Sequence, residues 1–567
     1  MEDKAEQGDP FYMIKAQRVR VYVPLLPNMA RRTRRNAKYV MLGLWMVACV
    51  ALVVIFSTWQ SHREVPVEAE HEVDPFEEEF KDRIRLPLTI EDKDVRKRIS
   101  YTDANVMKYF PLVHDDGLYV TWAHNVNSMN DLRMSMSNDI LMVITGDVKL
   151  HGNVGEKGTV PVMASPKVVV SDVTLLQWLE KISKFTNKAI RLNFHDTVTL
   201  EPAFKVLETM QYQLHAPVTL HANIMIGPNG EPSQIVNGVN FIDDAGKYLP
   251  HSTVSLGWTT RLVRDSGITS YDWPMVLDMA KYCTRISQPI TFSVRAIFAT
   301  NSIRQLKWLV SLSSKFTITI WTGEFDIVSM RDLSTFRKHL EARKVLYDVP
   351  ESFVDGIKLA EPNSLNTEGA KLQRNLWQPQ PFDVKSFVFL GSETIAFTGP
   401  NSWLTSKVQY QAELKSDRKV EVSGTAEFIN NAEPHQNAKL EIFIRSSGVD
   451  PPQADDVRGV LLEITSDGTL RISSHNLKKA GTYNMETTAH IPKSKCYEFT
   501  IVDYGENHPI TMTTKVSNCE GETSADAHSV QLSLTVPYES TADEVFYVTI
   551  NGSHGVQALL IHDLAVN

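Results

Sequence analysis

The run Pro289-Ile290-Thr291-Phe292-Ser293-Val294-Arg295-Ala296-Ile297-Phe298-Ala299 is rich in β-branched and aromatic residues. Ile303–Leu312, just behind it, carries apolar residues at helical spacing, and Phe316-Thr317-Ile318-Thr319-Ile320-Trp321-Thr322 is β-rich again. Strand, helix, strand in this order is the repeating unit of a parallel sheet. The unit recurs on either side. Further β-rich runs lie at Gly117–His124, Asp139–Val148, Lys188–Phe194, Pro217–Ile224, Thr253–Thr259 and Lys344–Val349. Several are near-continuous apolar, the pattern of strands buried on both faces. Leu175–Phe185, Trp273–Ile286 and Met330–Leu340 read as helices with one apolar face. Eight strand–helix units fit an α/β fold of the (β/α)8 TIM-barrel type over residues 101–360. A doubly wound sheet would suit fewer strands and usually a Gly-rich first turn, and no G-x-G-x-x-G occurs.

In such a barrel, chemistry sits at the C-terminal ends of the strands. Those ends read His124, Asp147, Asn193, His195, Asn223, Trp258, Arg295, Trp321 and Asp348. Barrel tops are commonly polar, so the ensemble marks a pocket better than any one member does.

After Ala360 the character changes. Residues 361–384, with Pro362, Pro379 and Pro381, read as a linker docked through Trp377. Residues 385–567 are almost entirely strand-like, with a hairpin signal at Asp467-Gly468. They predict an all-β, antiparallel β-sandwich, jelly-roll or lectin-like. Such a module recognises partner surfaces or caps the barrel.

The N-terminal flank places the chain. Val40–Trp59 contains no charged residue. About 20 residues at ~1.5 Å each cover a hydrocarbon core of roughly 30 Å. Arg31, Arg32, Arg34, Arg35 and Lys38 precede this run, and Glu64, Glu68, Glu70, Glu72 and Asp74 follow it. The positive side stays in the cytosol. The expected layout is a cytosolic tail at 1–38, a transmembrane helix at 39–59 and a stalk at 60–100. That makes a single-pass type II protein of the plasma membrane or a secretory-pathway membrane, with its C-terminal part extracellular or lumenal. A cleaved signal peptide is the competing reading, but the apolar run is too long and starts too late. Cys496 and Cys519 are close enough in sequence to pair across neighbouring strands in an oxidising compartment. Asn551-Gly552-Ser553 is a glycosylation sequon. A net charge of −9 argues against a nucleic-acid partner.

The strand ends resemble the menorin family. The phrases that carry this are Asp116-Gly117-Leu118, Thr121-Trp122-Ala123-His124-Asn125-Val126-Asn127-Ser128, Gly146-Asp147-Val148, Pro161-Val162-Met163-Ala164, Ala222-Asn223-Ile224, Leu256-Gly257-Trp258-Thr259 and Tyr347-Asp348, in the family's order. The resemblance implies a TIM-type barrel related to phospholipase C-like and glycerophosphodiesterase-like enzymes. It also implies a cell-surface or secreted role, which in some members is the patterning of sensory dendrites through adhesion receptors. Related phosphodiesterases hold a divalent cation with carboxylates and use two histidines as acid and base, so the resemblance implies Asp147 as the candidate metal ligand and His124 and His195 as the candidate acid–base groups. Here Thr145, Ser165, Asn193 and Asn223 stand where a Glu, the second His and two acids are expected. The expectation is therefore a recognition protein or adhesion cue on a pseudoenzyme barrel. No cofactor is expected, and a divalent cation only if the barrel site is active. The expected partners are extracellular or cell-surface proteins, with glycan as a further ligand. A divergent metal-dependent phosphodiesterase acting at the barrel mouth is the alternative. It predicts that His195 and Asp348 fill the gaps.

Overall fold

The computed structural model describes residues 105–152, 158–168, 170–185, 187–263, 269–362, 372–381, 386–399, 401–411, 419–429, 438–446, 459–475, 486–504, 510–519, 529–536, 545–553 and 558–567. The tail, the apolar segment and the stalk lie outside these. Among the described residues no helix is long and apolar enough to cross a membrane.

The barrel strands are β1 (Trp122–Ala123), β2 (Val143–His151), β4 (Ala189–Phe194), β5 (Val218–Ile226), β6 (Thr253–Thr259), β7 (Ile290–Arg295), β8 (Phe316–Trp321) and β9 (Val345–Asp348), all parallel in that spatial order. β3 (Val160–Met163) folds back antiparallel on β2 as a hairpin that sequence alone did not reveal. Helices follow most strands: α1 (Met129–Ser137), α2 (Leu175–Ile182), α3 (Leu200–Met210), α4 (Gly238–Tyr248), α5 (Trp273–Cys283), α6 (Ile303–Ser311), α7 (Met330–His339) and α8 (Glu351–Ile357). α2 shows why such segments start where they do. Thr174 and Gln177 form a reciprocal capping box, and Leu175, Trp178, Leu179 and Ile182 are buried.

The strands read as near-continuous apolar runs are not apolar on both faces. They alternate, and the polar face points inward. Phe194 packs outward on Phe204 of α3 and Phe241 of α4. Its neighbour Arg191 crosses the lumen towards Ser293, with Nη2 3.4 Å from its Oγ. Thr291 and Thr319 share a 2.8 Å hydroxyl bond, and His221 Nδ1 lies 2.9 Å from Ser255 Oγ. A barrel lumen is usually filled by Val, Ile and Leu. This one is filled by Thr, Ser, Arg and His, several of which hydrogen-bond to one another.

The seam between β1 and β9 is closed by side chains. The expected strand Gly117–His124 is mostly irregular, with a 3-10 turn at Gly117–Tyr119 and only two residues of β1. Gly117 lies so close to β9 that a Cβ there would sit 2.1 Å from the Val345 carbonyl oxygen. Trp122 Nε1 donates to the Tyr347 carbonyl at 3.0 Å, and Arg337 grips Asp116 through two bonds.

The second part is two antiparallel sheets. One runs β10 (Trp377–Pro381), β13 (Asn401–Ser406), β23 (Val545–Ser553), β16 (Lys439–Ser446), β17 (Gly459–Thr465), β18 (Thr469–His475), β19 (Glu486–His490), with β14 (Tyr410–Gln411) on β23. The other runs β11 (Phe387–Leu390), β12 (Thr394–Thr398), β24 (Ala558–Val566), β15 (Val420–Ile429), β20 (Cys496–Asp503), β21 (Ile510–Asn518), β22 (Ser529–Val536). Trp377, Leu404, Ile442, Phe499 and Ile561 belong to one apolar core. The linker reading of 361–384 is corrected in part, because Trp377–Pro381 is the edge strand β10. Its prolines fit an edge, where one side of the strand needs no N–H donors. The Asp467-Gly468 turn is present, with Gly468 at φ +91°. Cys496 and Cys519 are disulfide-bonded. Asn551 falls within β23, in register with Trp403 and Glu441. Barrel and sandwich meet along α6, where Trp308 Nε1 donates to the Thr394 carbonyl at 3.0 Å and Lys307 pairs with Glu393 at 2.8 Å.

Candidate functional site at the barrel mouth

Asp147, at the end of β2, is buried and accepts four hydrogen bonds. Oδ1 takes Asn193 Nδ2 at 3.0 Å and His195 Nε2 at 2.9 Å; Oδ2 takes Asn127 Nδ2 at 2.9 Å and Ser165 Oγ at 3.1 Å. Each donor arrives from a different element. Asn127 comes from the loop after β1, where its Oδ1 also accepts the Asp147 N–H at 2.7 Å. Ser165 comes from the end of the β2–β3 hairpin, and Asn193 and His195 from the end of β4. Burial alone would raise the Asp147 carboxyl, but the bonds from His195, Asn127 and Asn193 outweigh it and hold it down to about 2. A carboxylate has about four lone-pair positions, and all four are engaged. Two of the donors, Ser165 and Asn193, stand where the resemblance expects a histidine and an acid.

A second pair closes the other side. His124 Nε2 lies 2.9 Å from Asp348 Oδ1, and Arg191 Nη1 lies 3.6 Å from Asp348 Oδ2. The His124 contact is an ion contact more than a directed hydrogen bond, since Asp348 Oδ1 has no well-aligned donor. The Asp348 carboxylate raises the His124 imidazole above its ordinary value, against the opposing effect of burial. Arg191 is buried between the two carboxylates. Its burial lowers the guanidinium from its ordinary value, while Asp348 and Asp147 act to hold its charge. His221, deeper in the lumen, is pushed well below its ordinary value by burial and by the charge of Arg191, and is neutral.

The two mouth histidines thus share one design. Each turns Nε2 to a buried carboxylate and leaves Nδ1 towards the mouth. His124 is 52% exposed and His195 38%. A carboxylate held against Nε2 orients the ring, through a hydrogen bond at His195 and an ion contact at His124, and leaves Nδ1 to take or give a proton. Thr145 Oγ1, Arg191 Nε, Asn193 Oδ1 and Asp348 Oδ1 are buried polar atoms without a hydrogen-bond partner, so the mouth carries spare polar capacity. Among the described residues no group of three or more His, Cys, Asp or Glu is arranged to hold a metal ion.

The other expected site residues divide. Asn223 belongs to the lumen. A Cβ on Gly257 would stand 2.2 Å from its Oδ1, and a bulge in the β5–β6 pairing begins there. Trp258 does not belong. It is 1% exposed and packs outside the strands against Tyr271 and Phe292. Arg295 and Trp321 sit at the rim, but Arg295 is committed to Asp326 through Nε and Nη2, with Trp321 beneath it. Arg191, Asn127 and His221 were missed. Asn127 stood inside a quoted motif. Arg191 and His221 occupy strand interiors, where only an inward polar face would have flagged them.

A polar-lumened (β/α)8 barrel with paired histidines at its mouth, followed by an antiparallel β-sandwich, defines the class of protein. The family model described as the Menorin N-terminal domain matches residues 116–354, and the Menorin C-terminal domain matches residues 373–565. The chain belongs to the menorin family. It is similar to "Protein FAM151B" of Homo sapiens, 36% identical over 251 residues, which is 44% of this chain and 90% of that protein. Among solved structures, lectin I-B4 from Griffonia simplicifolia, in its metal-free form, matches over 35% of this chain and 97% of its own at 12% identity and a TM-score of 0.25. The exoplasmic/lumenal domain of VIP36 matches over 34% of this chain and 85% of its own at 10% identity and a TM-score of 0.22. Likenesses of that size carry no sugar site over to this chain.

Proposed function

We propose that the barrel mouth is a metal-independent acid–base site acting on an anionic ester of the phosphodiester type, carried by an extracellular or lumenal menorin-type protein. The observation that carries this is the pairing of both mouth histidines with buried carboxylates, His124 with Asp348 and His195 with Asp147. His195 and Asp348, which the enzyme alternative needs to fill the gaps, each supply one half of a pair. His124, raised by Asp348, is the protonated member and gives its proton to the leaving alkoxide. His195 Nδ1 takes a proton from water as the water oxygen bonds to phosphorus and the ester P–O bond breaks. The four donors on Asp147 support a reading in which it orients His195 and does not serve as a cation ligand.

The second reading is a recognition protein or adhesion cue, as in dendrite patterning, on a barrel without turnover. It is favoured by the neutral residues Thr145, Ser165, Asn193 and Asn223 at positions where related enzymes carry charge. One experiment separates the two. The full chain is assayed on bis(p-nitrophenyl) phosphate with EDTA present. Turnover that survives EDTA and falls on the order of 100-fold in both His124→Gln and His195→Gln supports the acid–base reading. Wild-type turnover no greater than that of a His124→Gln/His195→Gln double variant favours the recognition reading. Turnover that needs an added cation overturns the metal-independent assignment.

A further inference from the structure

The loops that follow the barrel strands present apolar side chains to solvent all around the mouth. Val170 follows β3, Val198 follows β4, Ile226 ends β5, Leu262 follows β6, and Phe325 and Ile327 follow β8; their exposure runs from 41% for Leu262 to 77% for Val170 and Phe325. Exposed apolar residues occur elsewhere on the barrel too, at Leu112, Ile140, Tyr212 and Leu359, so exposure by itself marks no site. The β8 loop shows that this exposure is built. Asp326 is fully buried, takes two bonds from Arg295 and accepts the Gly323 N–H at 2.7 Å. Its neighbours on either side, Phe325 and Ile327, are 77% and 71% exposed. A buried ion pair therefore pins the loop tip in a shape that holds a phenyl ring and a sec-butyl group out in water. Arg295 in turn rests on Trp321 at the end of β8, so the clamp is anchored on a barrel strand.

Beneath this apolar rim lie the free Nδ1 atoms of His124 and His195, with Arg191 buried behind them. We propose that the mouth takes an anionic amphiphile, with a phosphate-type head group at the two histidines and an aliphatic chain along the rim at Phe325 and Ile327. The proposal rests on the anionic-ester reading of the site. It adds that chain length, and not the head group alone, sets affinity. The rim is apolar where a chain would lie, and the centre offers proton donors where the anion would lie.

The test uses the full chain in lipid nanodiscs, titrated calorimetrically with inorganic phosphate, butyl phosphate, octyl phosphate and dodecyl phosphate as monomers. Protein-free discs of the same lipid composition correct for partition into the disc. Four fully buried methylenes correspond to about 200-fold in affinity, so a partly covered chain should give on the order of 10-fold from butyl to octyl phosphate. The Phe325→Ser/Ile327→Ser double variant should lose that gain and keep the affinity for butyl phosphate. His124→Gln/His195→Gln should weaken every member of the series alike. Affinity independent of chain length, with phosphate still bound through the histidines, overturns the amphiphile and leaves the anionic-ester reading standing. A gain that persists in the double variant places the chain elsewhere and also overturns it. Absence of binding by every probe overturns the amphiphile and the head-group reading together.

Discussion

Replacing Asp147 by Asn tests the logic of the mouth most directly. The substitution keeps the shape and removes the charge, and it turns one acceptor oxygen into a donor. Asp147 receives Asn193 and His195 on one oxygen and Asn127 and Ser165 on the other, so whichever way the amide turns, two donors face an N–H. Depression of the carboxyl from 3.8 to about 2 corresponds to roughly 2 kcal/mol of stability in the ionised form. Unpaired buried donors add about 1–3 kcal/mol. The expected loss at pH 7 is about 3–5 kcal/mol, the range for breaking a buried charged pair. The sign with pH follows from the direction of the shift. The folded-state value is depressed, so the contribution is fully present above 3.8 and is lost as pH falls through about 2. The gap between wild type and variant should stay flat from pH 8 to 5 and narrow by roughly 2 kcal/mol on acidification. Urea titrations read by hydrogen exchange on β2 and β4 peptides would measure it. A loss below 1 kcal/mol at pH 7, or a gap that widens in acid, would refute the claim that Asp147 is a saturated anion.

Asp348→Asn should bring the His124 imidazole back down towards its ordinary value, measured by NMR titration of the ring protons; an unchanged titration would dissolve the pair. The same variant should flatten the limb of the stability profile on which the charged His124 contributes below 6.5 and is lost as pH rises through its raised value. Gly257→Ala sets a Cβ 2.2 Å from Asn223 Oδ1 and 2.9 Å from His221 Cε1, and overpacking of this kind costs typically about 1–3 kcal/mol. Its thermal midpoint should fall, and an unchanged midpoint would mean that the lumen is looser than described. Cys496→Ser removes a crosslink across a separation of 23 residues, which should cost about 3 kcal/mol in the sandwich. The loss should match that seen on reducing the wild type, with denaturation followed on the sandwich strands.

How much could be read beforehand differs between strands and site. The eight β/α units were legible because a strand needs β-branched residues and a helix needs an apolar stripe, whatever their neighbours are. The Thr253–Thr259 run coincides with β6 to the residue. The β2–β3 hairpin was not legible, because Val160–Met163 is short and its reason for existing is the serine it delivers to Asp147. Trp258 looked like a pocket residue because it ends a strand. Side chains alternate along a strand, and only the closed barrel decides which parity faces in. Local sequence determined the order of elements, the sandwich after Ala360, the Asp467-Gly468 turn and the cysteines able to pair, since each depends on residues near one another in the chain. Tertiary structure alone decided that His195 would meet Asp147, that His124 would meet Asp348 across the seam, and that Arg191 would lie between the two acids. Those partners are far apart along the chain. They meet because barrel closure brings the ends of β1, β2, β4 and β9 to one mouth, where burial makes unpaired charge too costly to leave alone.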